Sequence, residues 1–298
     1  MKFYLYEFDD LPVRIKWDYD KFFYNRWCQE AYAALISHPD RVDSEDDADV
    51  FVITQTLRTV SFAGIAWSQF LPGHLASKPA WHAGKKHIIF DIKDSPTPMW
   101  DDPRMIVCKT AFHEKYFNPA KHISIPQFPR QRFTEVIKPV SERGHLVGFK
   151  GHPRSRCTNL RTRLFKLHDG KRAVIESGEY SPETIGPYTD MLRDSKFALL
   201  PRADGYALSY RMIESMNLGC IPVVISDGYV LPFSPELDYG KFSIRIPEKD
   251  ADDLIDILKF QTNLEGLQKN AYDAYSEYFS STEKIINHTI RMVGGLNA

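Results

Sequence analysis

The chain has 298 residues, 43% hydrophobic and 26% charged. That make-up belongs to a folded soluble protein with room for one large domain or two ordinary ones, and it excludes a disordered chain. The net charge of −1 at pH 7 removes any bulk attraction to nucleic acid or to an anionic membrane, so a basic site has to be local.

Lys2 to Phe8 alternates, with Phe3 and Leu5 on one side, and reads as a first strand. Tyr24 to Ser37 is helical, because Trp27, Ala31, Ala34 and Leu35 fall on one stripe. The acidic run Asp43 to Asp49 reads as a solvated loop, since no rigid spacing gathers its carboxylates. Val50 to Thr54 is a buried strand, and Trp67 to Leu75 a helix or turn region. His87 to Ile92, Met105 to Cys108 and His122 to Pro126 are further strands. Pro126, Pro129 and Pro139 flank a polar stretch that reads as an inter-domain linker. His145 to Lys150 opens a second α/β series, followed by a helix at Thr158 to His168 and a strand at Arg172 to Glu176. Phe197 to Pro201 and Cys220 to Ile225 are apolar runs on either side of a short helix, Tyr210 to Leu218, with Ser209 as its N-cap and Gly219 at its C-cap. Strand, helix and strand in about 30 residues make a right-handed βαβ unit with parallel strands. Phe242 to Ile246 is a last strand, and helices follow at Ala251 to Phe260, Leu264 to Phe279 and Thr282 to Val293. The expected division is 1–138, 139–265 and a C-terminal helical segment, 266–298, returning to the first domain.

In parallel sheets ligands sit at the carboxyl ends of strands. Arg202, Gly205, Ser209, Arg211 and Asp227 fall there, with Arg154, Arg156, Arg161 and Arg163 on or beside neighbouring loops. Forked guanidinium groups and a helix N-terminus suit a diphosphate. Glu214 lies one helical turn after Arg211 and is either its intrahelical partner or a carboxylate for vicinal hydroxyls. Four cysteines (Cys28, Cys108, Cys157, Cys220) include no CxxC pair and read as isolated thiols of a reducing compartment. No apolar stretch approaches the ~18 residues of a membrane span. The expected location is therefore the cytoplasm, or host cytoplasm for a viral source.

Residues 188–243 resemble the exostosin family of glycosyltransferases. The matching pattern is Tyr188-x-x-Met191-Leu192-x-x-Ser195-Lys196-Phe197, Pro201-Arg202, Ser209-x-Arg211-x-x-Glu214, Gly219 to Asp227, Leu231-Pro232-Phe233 and Lys241-Phe242-Ser243. A weaker likeness runs through Phe3 to Tyr6, Asp46 to Phe51, the Trp81, Gly84, His87 and Asp91 set, and Thr158 to Gly170. The resemblance implies a GT-B fold, two Rossmann-like domains facing across a cleft, with C-terminal helices. It also implies an inverting enzyme, a hexosyl- or pentosyltransferase, that forms a β-linkage from a UDP-sugar donor to a hydroxyl of a glycan acceptor. Carried over residue by residue, Arg161, Arg202 and Arg211 would hold the diphosphate and Glu214 the ribose, with Ser209, Asp227 and Tyr229 beside them. The absence of a membrane anchor suits a bacterial or viral member.

Inverting transfer needs a base for the acceptor hydroxyl and charge stabilisation on the leaving UDP. The arginines are expected to supply the second, so no metal ion is required, although Asp204-Gly205 or Asp9-Asp10 offer weak ligands for a divalent cation. The base is expected from the first domain. Candidates are Asp94, Asp91 and His82, then Asp9, Asp10 and His74, with Asp94 preferred. The alternative is a catalytically inactive sugar-binding or partner subunit of the same fold. A nicotinamide-binding Rossmann enzyme is disfavoured, because no GxGxxG follows the first strand.

Overall fold

The structure is a computed structural model that describes residues 1–6, 23–54, 72–92, 94–98, 100, 102–134, 136–153, 158–178, 181–202 and 208–296. Among the described residues, two five-stranded parallel sheets carry it. The first contains β1 (Phe3–Tyr6), β2 (Val50–Ile53), β3 (Lys86–Asp91), β4 (Met105–Lys109) and β5 (His122–Ser124), in chain order. Register rows such as Leu5, Val52, Ile88 and Ile106 run straight across it. Both faces are covered, which is why these strands are near-continuous apolar runs. Phe3, Leu5, Val50, Val52, Ile88 and Phe90 face one cluster; Tyr6, Phe51, Ile53, Ile89 and Val107 face the other. The first cluster packs on α1 (Phe23–Ile36) and on the final helix, which returns to this sheet; the second includes Trp81 of the short α2 (Pro79–His82).

The second sheet contains β6 (His145–Gly151), β7 (Ala173–Ser177), β8 (Ser195–Pro201), β9 (Ile221–Ile225) and β10 (Ile244–Arg245), in the order β10-β9-β8-β6-β7. The chain runs from β6 outward to β7, returns to β8 and then continues the other way. The topological switch point therefore lies between β6 and β8, where a crevice opens at the carboxyl ends. The helices in order are α3 (Leu160–Phe165), α4 (Pro182–Arg193), α5 (Arg211–Asn217), α6 (Leu254–Lys259), α7 (Leu264–Ala274) and α8 (Thr282–Leu296). The parallel pairing of β8 with β9 agrees with the βαβ reading. Two parallel α/β sheets in sequence are the expected GT-B architecture.

Several element limits differ from the sequence expectations. Helix α3 is shorter than the expected Thr158 to His168, and the expected helix at Ala251 to Phe260 begins as a 3-10 segment, Glu248–Asp253. Residues Tyr275–Phe279 form a π-helical turn after α7. Helix α4 has no counterpart in the sequence reading. Gly219 does close α5 as expected: at φ 73° its N–H donates to Met216 O at 3.0 Å, and Cys220 N–H donates to Ser215 O at 2.8 Å. Those are the two bonds of a Schellman end, and the left-handed backbone there favours glycine. A Cβ at Gly219 would also meet Ile137 Cγ2 at 2.4 Å.

The two sheets are joined by more than the linker. Segment 228–233, just after β9, lies along the first sheet. Val230 N–H donates to Phe112 O at 3.0 Å, Glu114 N–H to Gly228 O at 2.7 Å, and Phe233 N–H to Ser124 O at 2.7 Å. Leu200, Val224, Met212 and Phe233 belong to the same buried cluster as Phe3 and Trp27. Among the described residues, no helix is long and apolar enough to cross a membrane. Cys28, Cys108 and Cys220 are buried free thiols; Cys157 lies outside the described residues.

Candidate active site

The carboxyl end of β6 gathers two of the expected arginines. Phe149 points from β6 into the core beneath α3, and the Arg161 and Arg211 guanidinium carbons lie 5.9 and 5.5 Å from its ring centroid. Arg161 is held by α3 and donates to His152 O at 3.4 Å. Arg211, the first residue of α5, donates from Nε to Lys150 O at 2.8 Å and from a terminal nitrogen to Ser209 Oγ at 2.7 Å. Ser209 was expected to cap α5. The helix instead begins at Arg211 with Tyr210 as its N-cap, and no side chain caps it. The Ser209 hydroxyl is directed mainly to the Arg211 guanidinium, because its contact with the Arg211 N–H is a long 3.4 Å. These groups surround the β6–β8 switch point.

Arg202 lies on the other side. It follows β8 and is buried, and its Nε donates to Glu248 Oε1 at 2.5 Å. The same oxygen accepts the Asp227 N–H at 3.1 Å, and Asp227 Oδ1 accepts the Glu248 N–H at 3.2 Å. Arg202 and Asp227 are thus brought together by Glu248, a residue the sequence reading did not single out. Its signal was weak, an acidic residue three positions past the short edge strand β10. Arg163 braces the same loop, donating to Glu248 O at 2.9 Å and forking onto Asp252.

Glu214 is fully enclosed. Its Oε1 accepts the Arg130 and Gln131 N–H groups of the linker at 2.9 and 3.3 Å, and its Oε2 accepts the Tyr188 hydroxyl at 2.9 Å. In this arrangement three of the carboxylate's acceptor positions anchor the linker and Tyr188 to α5. Burial pushes its pKa up to about 7, against the opposing pull of Tyr188, Arg211 and the two amides. The folded value lies above the ordinary 4.5, so this group's stabilisation is full below about pH 4.5 and is lost as pH rises through about 7. Glu214→Gln is expected to flatten that part of the stability–pH curve, an effect of about 3 kcal/mol. Chemical denaturation of both proteins at several pH values checks it; an unchanged slope in the variant would assign the dependence to other groups.

Tyr229 is buried, and its hydroxyl donates to Thr110 O at 3.0 Å. Burial raises its pKa and the Asp94 charge adds to the rise, so Asp94 is within electrostatic reach of the seam. Asp94 itself is exposed, in the loop after β3. Asp91 ends β3 as expected but is buried, paired with the equally buried Lys109 Nζ at 2.8 Å. His82 ends α2, which leads into the amino end of β3, and contacts Ala76 O at 2.6 Å. It therefore lies at the edge of the sheet opposite Asp91 and Asp94. Asp9, Asp10, Asp204, Gly205, Arg154 and Arg156 lie outside the described residues. Among the described residues, no three His, Cys, Asp or Glu side chains group to hold a metal ion.

Residues 1–260 match the family model for the Exostosin GT47 domain. The Exostosin-1 homolog of Caenorhabditis elegans is 26% identical over 253 residues, covering 72% of this chain and 65% of that protein. Exostosin-1 of Drosophila melanogaster is 26% identical over 263 residues, covering 75% of this chain and 34% of that protein. The chain thus spans less than two thirds of the length of these relatives. Among solved structures, AviGT4, a glycosyltransferase involved in avilamycin A biosynthesis, superposes with a TM-score of 0.41 at 11% identity, over 99% of this chain and 98% of that one.

Proposed function

This chain belongs to the exostosin GT47 family, and from that premise we propose that it is an inverting glycosyltransferase that moves a sugar from a UDP-sugar to a hydroxyl of a glycan acceptor. The observation that carries the reading is the pair of guanidinium groups, Arg161 and Arg211, beside Phe149 at the β6–β8 switch point. A planar fork matches phosphate oxygens, and two of them neutralise a diphosphate without a metal ion. Arg202 joins them by exchanging its Glu248 contact for the donor. Ser209 holds Arg211 in place, and Asp227 stands beside Arg202 through their shared partner Glu248.

In the proposed reaction the acceptor oxygen attacks the anomeric carbon as the bond from that carbon to the β-phosphate oxygen breaks. The sugar inverts to a β-linkage, UDP leaves with its charge met by the arginines, and the acceptor proton passes to Asp94. Asp94 is preferred over Asp91 because an exposed carboxylate can receive a proton, whereas Asp91 is committed to Lys109. The test is UDP release from a panel of UDP-sugars with oligosaccharide acceptors. The wild type is expected to release UDP. Asp94→Asn is expected to bind UDP normally and lose turnover by about 10²-fold or more, the usual worth of a general base. UDP binding without release by the wild type would favour the inactive partner-subunit reading. Near-normal turnover by Asp94→Asn would remove it as the base.

A further inference from the structure

A cavity of about 350 Å³ opens where the linker crosses α1 and the start of α8. This size is at the small end for ligand pockets and suits one ring rather than an extended molecule. One wall is aromatic: Trp27 of α1 and Phe128 of the linker stack with centroids 3.5 Å apart. Trp27 is buried, and its indole N–H has no acceptor among the described residues. The opposite chemistry comes from three residues that fix one another. Arg132 donates to Thr282 Oγ1 at 3.1 Å, Thr282 donates to Glu30 Oε2 at 2.5 Å, and the Arg132 and Glu30 charges lie 3.6 Å apart.

We propose that this cavity holds one neutral pyranose unit of the acceptor glycan. The aromatic wall suits the C–H face of a sugar ring, and the carboxylate, hydroxyl and guanidinium suit its hydroxyls. The engagement of the lining charges with one another and with a ring favours a neutral sugar over an anion. Glu30 and Arg132 offset each other, and the remaining cation, Arg130, sits over the Tyr210 ring at 4.4 Å. That ring also places the cavity beside the donor side, because the Arg211 guanidinium lies 4.9 Å from its centroid. Linker residues Arg130 and Gln131 thus line the cavity while their amides are tied to Glu214 on α5. The proposal rests on the transferase reading for the word acceptor, though saccharide binding itself does not require it.

Saturation-transfer NMR with cellotriose, xylotriose and a β-linked galactotriose tests the cavity, with UDP affinity by calorimetry as the parallel measurement. At least one trisaccharide is expected to bind the wild type through its ring protons. Gln131→Trp, which fills the cavity from an exposed position, and Phe128→Ala, which removes one ring of the aromatic wall, are each expected to weaken that binding about tenfold, the size of one lost contact. UDP affinity should be retained by Gln131→Trp, showing that the variant is folded. Unaltered saccharide signals in both variants would overturn the proposal. So would a wild type that binds UDP and none of the three saccharides. A protein that binds a saccharide at the cavity but no UDP would instead sink the donor-site reading and leave this one standing.

Discussion

Asp91→Ala is expected to cost about 3–5 kcal/mol of folding free energy, because it takes a buried counter-charge from the buried Lys109 ammonium. Both groups are enclosed, at 1% and 0% exposure, so solvent cannot replace the lost partner. The attraction itself is not what makes the loss large. Two charges withdrawn from water have already lost most of their hydration, and removing one takes compensation from the other that water cannot restore. Asp91→Leu combined with Lys109→Met is therefore expected to recover most of the stability, since it removes both charges at once. Equilibrium denaturation of the three proteins decides it; a single variant as stable as the wild type would mean that the pair contributes nothing. This also separates Asp91 from Asp94, because turnover lost in an Asp91 variant would reflect the fold, whereas Asp94 is exposed and bears little packing.

Arg211→Ala is expected to weaken UDP binding about a hundredfold, the loss of a charge-assisted fork worth ~2–3 kcal/mol. Its guanidinium is held from two sides, by Lys150 O and Ser209 Oγ, and so is aimed before any ligand arrives. Arg211→Lys keeps the charge but not the fork and should restore only part of the affinity. Arg172→Ala, whose exposed guanidinium pairs with Asp169 at 3.3 Å, serves as the control and should bind UDP normally. Calorimetric titration with UDP reads all three. Equal affinity of the Arg211→Ala and Arg172→Ala proteins would move the diphosphate away from the switch point.

The sequence made the sheets legible because parallel strands buried on both faces are written as apolar runs, as in His87 to Ile92 and Cys220 to Ile225. Helix α4 was hidden by Gly186 and Pro187, two helix-breaking residues in its middle. A start signal was present, Ser181-Pro182-Glu183-Thr184, and the structure uses it: Ser181 N–H donates to Thr184 Oγ1 at 2.8 Å. At the site, the positions of Arg161 and Arg211 could be inferred from strand ends. The partners could not. Glu214 meets linker amides 84 and 83 residues away, and Arg202 meets Glu248 46 residues on, pairings set by tertiary packing rather than by any spacing along the chain. Burial alone distinguished Asp91 from Asp94, and both stand in the same short run of sequence.

The segment after β9 that lies on the first sheet also bears on how the chain reaches its native state. Tyr229 meets Thr110 across 119 residues and Ser124 meets Val230 across 106. Contacts of such high order carry a large loop-closure entropy and form late. During synthesis, β5 remains an uncovered edge until the chain has grown past Phe233, more than a hundred residues after β5 itself is complete. Helix α8, which packs on α1, arrives later still. The first sheet is therefore encoded early but finished last. Until then its exposed β5 edge is open to pairing with another copy.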